Sequence, residues 1–134
     1  MKIVNDYPPN YRDITAAIPS ADSSKPIYCY GETIYNPHGR TITADLEKHE
    51  SVHARQQAGN PDTWWYRYLS DPGFRLAQEL EAYGEQFAFV RPLIHGQLRQ
   101  WALDSMAKAL SSDAYGNLLS HAEAASKIRN YATH

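Results

Sequence analysis

The chain has 134 residues and a formal charge of −2, with 43% hydrophobic and 21% charged residues. That suffices for one compact domain over residues 1–134, with neither the basic surplus of a nucleic-acid binder nor the acidic run of a solvating tail. A single cysteine, Cys29, excludes a disulfide framework and a multi-cysteine zinc site. Without an apolar run able to span a bilayer or a signal-like N-terminus, the expected setting is cytoplasmic, away from membrane and nucleic acid.

Residues 1–26 hold Pro8, Pro9, Pro19 and Pro26 and read as a wrapping arm with a short helix near 11–18. Ile27–Tyr30 and Thr33–Tyr35 are β-prone runs around Gly31-Glu32, the pattern of a hairpin, closed by the turn residues Asn36-Pro37-His38-Gly39. A helix follows from Thr43, a suitable N-cap, with Asp45 and Glu47 at the positive end of its dipole. Gly59-Asn60-Pro61 ends it by about residue 58. The aromatic run Trp64–Tyr68 reads as a short helical turn. Asp71-Pro72 starts a helix that runs to about Arg91, and further helices fit 95–111 and 122–131. Few early strands and many later helices make a mostly helical α+β fold with a small N-terminal hairpin or sheet.

Chemistry concentrates in Lys48-His49-Glu50-Ser51-Val52-His53. Two His residues four apart on a helix project from one face, so both imidazoles can reach one ion, and zinc accepts imidazole nitrogen at about 2.0–2.1 Å. Glu50, on a neighbouring strip of the helix, is placed to act as general base without ligating. The plain alternative is a solvated helix with two surface histidines. Chance yields the pattern in roughly one chain of this composition in a hundred, so the metal reading is preferred.

A catalytic zinc needs a further protein ligand, and Glu79, Glu81, Glu85, His95 and His121 are candidates. On the 72–91 helix, Leu76, Leu80, Tyr83 and Phe87 form an apolar arc. Glu79 lies roughly 60–80° from its centre, whereas Glu81 and Glu85 turn further away. Glu79 is therefore the expected third ligand, its plain alternative being an edge-of-face carboxylate paired with Lys or Arg. Among weaker features, Gln56 and Gln57 are either flanking support for the metal residues or surface glutamines. The Trp64–Tyr68 cluster is core packing ahead of substrate groove. Arg67 and Arg75 read as solvated, and Cys29 as an inert packed thiol.

His49-Glu50-Ser51-Val52-His53 followed by Glu79-Leu80-Glu81-Ala82-Tyr83 resembles the gluzincin branch of the zincin metallopeptidases, in which a Glu on a later helix is the third ligand. Tyr83 stands where that pattern commonly carries a supporting Asp, so support for the ligand histidines must come from Tyr83, another carboxylate or water. The hairpin resembles the part of a zincin sheet whose edge strand pairs with extended substrate. Gly31–Pro37, His53-Ala54-Arg55-Gln56-Gln57 and Tyr115-Gly116-Asn117 are also similar to small HExxH proteins of phage and prophage sequences.

The resemblance implies a zinc-dependent hydrolase acting on a peptide or protein, in which zinc acidifies a water molecule and Glu50 takes its proton. It leaves Tyr66, Tyr68, His95 and His121 as candidate oxyanion donors. Two other functions remain open: a non-catalytic zinc-binding module of phage origin, associated with a virion, and hydrolysis of a cell-wall amide. The short chain leaves little for a second wall of the cleft, so a protein partner that completes it is a further expectation.

Overall fold

The computed structural model describes residues 1–133, and their order is set by one small sheet followed by packed helices. Strand β1 (Lys2–Val4) precedes helix α1 (Tyr11–Ala17), then come β2 (Tyr28–Tyr30) and β3 (Thr33–Tyr35). The helices α2 (Ala44–Gln57), α3 (Pro61–Ser70), α4 (Pro72–Val90), α5 (Gln97–Leu110) and α6 (His121–Ala132) complete the described residues. This is the mostly helical α+β architecture expected from the sequence.

The hairpin forms as read. Cys29 pairs with Ile34 and Tyr30 with Thr33, and Gly31 takes φ 63° in the tight turn between them, a conformation that costs glycine nothing. The N-terminal residues depart from the expected arm. Lys2–Val4 is a strand, parallel to β3 in register Ile3↔Ile34, so the sheet order is β1-β3-β2. Three residues are too few to show an alternation in sequence.

The free side of β2 is not an open edge. The Gln57 side chain accepts from Gly31 N at 2.7 Å and donates to Cys29 O at 2.8 Å, and Trp65 Nε1 donates to the same carbonyl at 3.0 Å. Side chains of α2 and α3 thus take the hydrogen bonds that an added strand would make. The expected pairing of an extended substrate with this edge is blocked in this conformation.

Helix boundaries follow the punctuation in the chain. The α2 helix ends on Ala58 in the left-handed region (φ 50°), one residue before Gly59. Asn60 caps α3 through Thr63 N, with Pro61 at its first turn, so Trp64–Tyr68 lies within a ten-residue helix and not a short turn. Asp71 caps α4 through Phe74 N, and Ser120 with Glu123 makes a capping box on α6.

Two apolar clusters flank α4. Tyr83 and Phe87 join Leu103, Met106, Leu110 and Ile128 of α5 and α6 in one. Ile14, Ile18, Tyr28, Trp64, Trp65 and Tyr68 form the other, under α1 and the sheet. The remaining buried strip of α4 is polar. Arg75, Glu79 and Gln86 are 5%, 2% and 6% exposed, with Ala82 fully buried among them. Positions 75, 79, 82 and 86 follow helical spacing, which turns this strip away from the apolar arc, with Glu79 and Gln86 reaching α2 and Arg75 reaching the end of α3.

Candidate metal centre

The α2 and α4 helices meet over the predicted ligands. His49, Glu50 and His53 are buried on α2 and Glu79 on α4, each 2–5% exposed. His49, Glu50 and His53 bring donor atoms within 4.8 Å of one another, a group that can hold a metal ion. Glu79 approaches closer than Glu50 does: its Oε1 is 3.2 Å from His49 Nε2 and its Oε2 is 3.1 Å from His53 Nε2. Glu50 Oε2 stands 3.7 Å from His49 Nε2.

The tautomers follow from the hydrogen bonds. His49 Nδ1 lies 3.0 Å from Gln86 Oε1, and the Gln86 amide is fixed because its Nε2 donates to Asp45 Oδ2 at 2.8 Å. His53 Nδ1 lies 2.8 Å from Gln56 Oε1, whose Nε2 donates to Gln78 O and to Glu81 Oε1. Each Nδ1 must therefore carry hydrogen, leaving both Nε2 atoms of the neutral rings with lone pairs. These face each other at 3.2 Å. The Glu79 carboxylate completes the group, and its Oε1 is buried without a hydrogen-bond partner.

Three electron-rich atoms converging without a proton between them call for a cation. Their spacing also suits one: ligands at about 2.0–2.1 Å from a tetrahedral zinc lie about 3.3 Å apart. The residues present thus fit a divalent metal, although the donors alone do not choose which.

Without an ion, a proton is the only available substitute. Burial works against charge on His53, but Glu79, with help from Glu50 and Gln56, outweighs it and lifts the imidazole to about 9. Burial likewise disfavours a charged Glu79, yet His53 and His49 hold it well below the carboxylate range. Glu50 is pushed up by burial, against the pull of His49, His53 and Arg40. A carboxyl raised in this way is a better proton acceptor than an ordinary surface Glu.

Aromatic rings wall the group. Tyr83 packs on His49 with centroids 4.4 Å apart, and Trp64 on His53 at 5.4 Å. Tyr68 donates its hydroxyl to Glu79 Oε2 at 2.7 Å.

No known protein family, curated protein or solved structure matches the chain.

The other candidates separate clearly. Glu81 contacts the centre only through Gln56, and Glu85 pairs with Arg55 and Lys48 on the surface. His95 and His121 are exposed, the latter 3.6 Å from Asp104. Tyr66 is 77% exposed and Tyr68 is committed to Glu79, so neither is a free oxyanion donor at the centre. Support for the two histidines comes from Gln86 and Gln56, while the Tyr83 hydroxyl turns instead to Tyr115 at 2.8 Å. Gln86 lies seven residues beyond Glu79 on the same strip, and that spacing was the available signal.

Arg40 also escaped the sequence reading. The buried Asn36 amide clamps its backbone at both N–H and carbonyl, and its charge is felt at Glu50. Arg75 is not solvated as expected: it is buried and donates to the carbonyls of Tyr68 and Tyr115. Arg67 does sit outside, over the Phe74 ring. Cys29 is buried, and burial pushes its thiol up, as an inert packed thiol requires. Among the described residues, no helix is long and apolar enough to cross a membrane.

Proposed function

We propose that the chain is a zinc-dependent hydrolase of gluzincin type, most simply a metallopeptidase, with His49, His53 and Glu79 as ligands and Glu50 as general base. One observation carries the reading: two imidazole lone pairs and one carboxylate, the latter with an orphaned oxygen, converge at 3.1–3.2 Å. Zinc, when bound, would acidify a water molecule and polarise a substrate carbonyl.

The chain's own residues supply the rest. Gln86 and Gln56 fix the ring tautomers and orientations, and Tyr68 holds Glu79 by one oxygen. Glu50 receives a proton and returns it to the leaving amine, which its raised affinity for protons suits. Arg40, an exposed cation whose charge is felt at Glu50, is a candidate to meet negative charge developing there.

The alternative is a non-catalytic metal-binding module, favoured by the 2–5% exposure of all four residues, since a structural site needs no route for substrate. Metal analysis of wild type beside Glu79→Ala and Glu81→Ala tests the ligand set. One zinc per chain, lost only in Glu79→Ala, is expected. A panel of denatured protein, peptides and peptidoglycan, with Glu50→Gln as control, then tests the chemistry. Hydrolysis that Glu50→Gln abolishes supports the enzyme, and its products separate peptide from cell-wall amide. A loaded protein inert on the whole panel favours the module.

A further inference from the structure

A second site lies away from the metal centre. Between α1 and α3 opens a cleft of ≈ 530 Å³. Asp62, Trp65, Tyr66 and Leu69 of α3 line one wall at successive-turn spacing. This is the opposite strip of α3 from Trp64 and Tyr68, which contact the metal residues. Asn10 and Asp13 of the α1 end line the other wall, and Tyr30 of β2 the base.

Its chemistry is specific in charge. Asp13 and Asp62 are both exposed, and among the described residues neither lies within ion-pair distance of a Lys, Arg or His. Arg67, the basic residue of α3, is turned to Phe74 and Asp71. The Tyr30 hydroxyl donates to Asp62 Oδ1, which orients that carboxylate and leaves Oδ2 free for a ligand. Tyr66 presents its ring to solvent at 77% exposure, with no packing partner to account for it.

An independent observation points the same way. Asn10 Nδ2 and Oδ1 are both buried and both without a hydrogen-bond partner. An amide left unmatched at both ends is unfavourable, and rotation of the Asn10 side chain into the cleft it lines would let a peptide group, with one donor and one acceptor, satisfy it.

We propose that this cleft binds an arginine side chain presented by a peptide segment. The guanidinium would lie against the Tyr66 ring and share the Asp13 and Asp62 carboxylates, while the Asn10 amide, buried in the free protein, would rotate to pair with the peptide backbone. Arginine fits better than lysine because its planar cation stacks and donates sideways at once. This site does not depend on the metal reading.

The test is calorimetric and NMR titration of the full chain with N-acetyl-Gly-Arg-Gly-amide, beside the citrulline analogue, which keeps shape but loses charge. Saturable binding of the arginine peptide, with shifts centred on Trp65 and Tyr66, is expected. The citrulline peptide should bind about tenfold more weakly. Tyr66→Ala, at an exposed ring that does not support the fold, should weaken the arginine peptide about threefold. Asp62→Asn should weaken it about two- to fivefold. Equal affinity for the two peptides, shifts centred elsewhere, or unchanged affinity in a folded Tyr66→Ala would overturn the proposal.

Discussion

The Nε2 atoms of His49 and His53 stand 3.2 Å apart, while each Nδ1 is held by the oxygen of a glutamine. Two acceptors cannot be placed so closely in a buried setting unless something positive lies between or beside them. The glutamines make the demand one-sided. Because Gln86 and Gln56 are themselves anchored through their amide nitrogens, neither ring can escape by exchanging tautomers. The two states open to the centre are thus a metal ion or a proton on His53, paired with Glu79.

These two states have opposite pH dependence. In metal-free protein, His53 is raised from 6.5 to about 9. Its contribution to stability is complete below about pH 6.5 and is lost as pH rises through about 9. A loss on the order of 3 kcal/mol over that window is expected in urea unfolding of chelator-treated protein. Zinc-loaded protein should gain stability with rising pH through the histidine range, because metal binding requires neutral imidazole. Parallel slopes for the two forms would show that His53 is not the shared position.

Removing the glutamine anchors should weaken metal without removing a ligand. Gln86→Leu and Gln56→Leu each free an Nδ1–H and the ring it orients. Metal affinity measured by competition with a chelator should fall about 10- to 100-fold in either variant. Gln57→Leu serves as the control, since Gln57 bonds to Cys29 and Gly31 of the hairpin. It should lower stability and leave metal affinity near wild type.

Much of this centre was legible in the chain because helical spacing is a strong constraint. The i, i+4 pair His49 and His53 had to share a face, and Glu79 had to lie nearer the buried side of its helix than Glu81 or Glu85. Burial of polar residues was harder to read. Arg75, Glu79 and Gln86 form a buried polar strip, Glu79 and Gln86 towards α2 and Arg75 towards the end of α3, and a hydrophobic pattern records only the apolar arc facing α5 and α6. That pattern places Arg75 in solvent, whereas it is buried. Strand β1 escaped for a different reason: its partner β3 lies about thirty residues away, and pairing at that range leaves no local periodicity.

Arg75 is expected to be structural and not catalytic. Its guanidinium reaches Tyr115 O at 2.9 Å and Tyr68 O at 2.8 Å, so it ties the end of α3 to the turn before α6. Arg75→Met would keep most of the apolar stem but strand both carbonyls in a buried site. A loss of about 2–4 kcal/mol in chemical denaturation is expected, with metal stoichiometry retained in the folded fraction. A variant as stable as wild type would mean that water replaces the guanidinium at little cost.

Gly84 sets how closely α4 and α6 approach. A Cβ built there would fall 2.1 Å from Tyr131 Cδ1 and 2.9 Å from Tyr131 Cβ. The ring contacts are the severe ones, whereas the contact with Tyr131 Cβ falls only just short of the closest approach that Cβ atoms make. Gly84→Ala should therefore cost about 1–3 kcal/mol from overpacking, offset by up to about 1 kcal/mol of helix propensity. Adding Tyr131→Ala would trade the Tyr131 hydroxyl contact with Glu81, a weak one at 3.5 Å, for most of the missing space. The double variant should be less damaged than the sum of the two single ones, a coupling that unfolding of all four proteins would measure. Strict additivity would place the strain of Gly84→Ala somewhere other than Tyr131. Because Glu79 lies on α4 little more than one turn before Gly84, metal affinity in the same four proteins reports whether the α4–α6 contact also sets the position of the third ligand. A structural strain confined to the far side of α4 would leave it unchanged. Displacement of the whole helix would weaken metal in Gly84→Ala and restore it in the double variant.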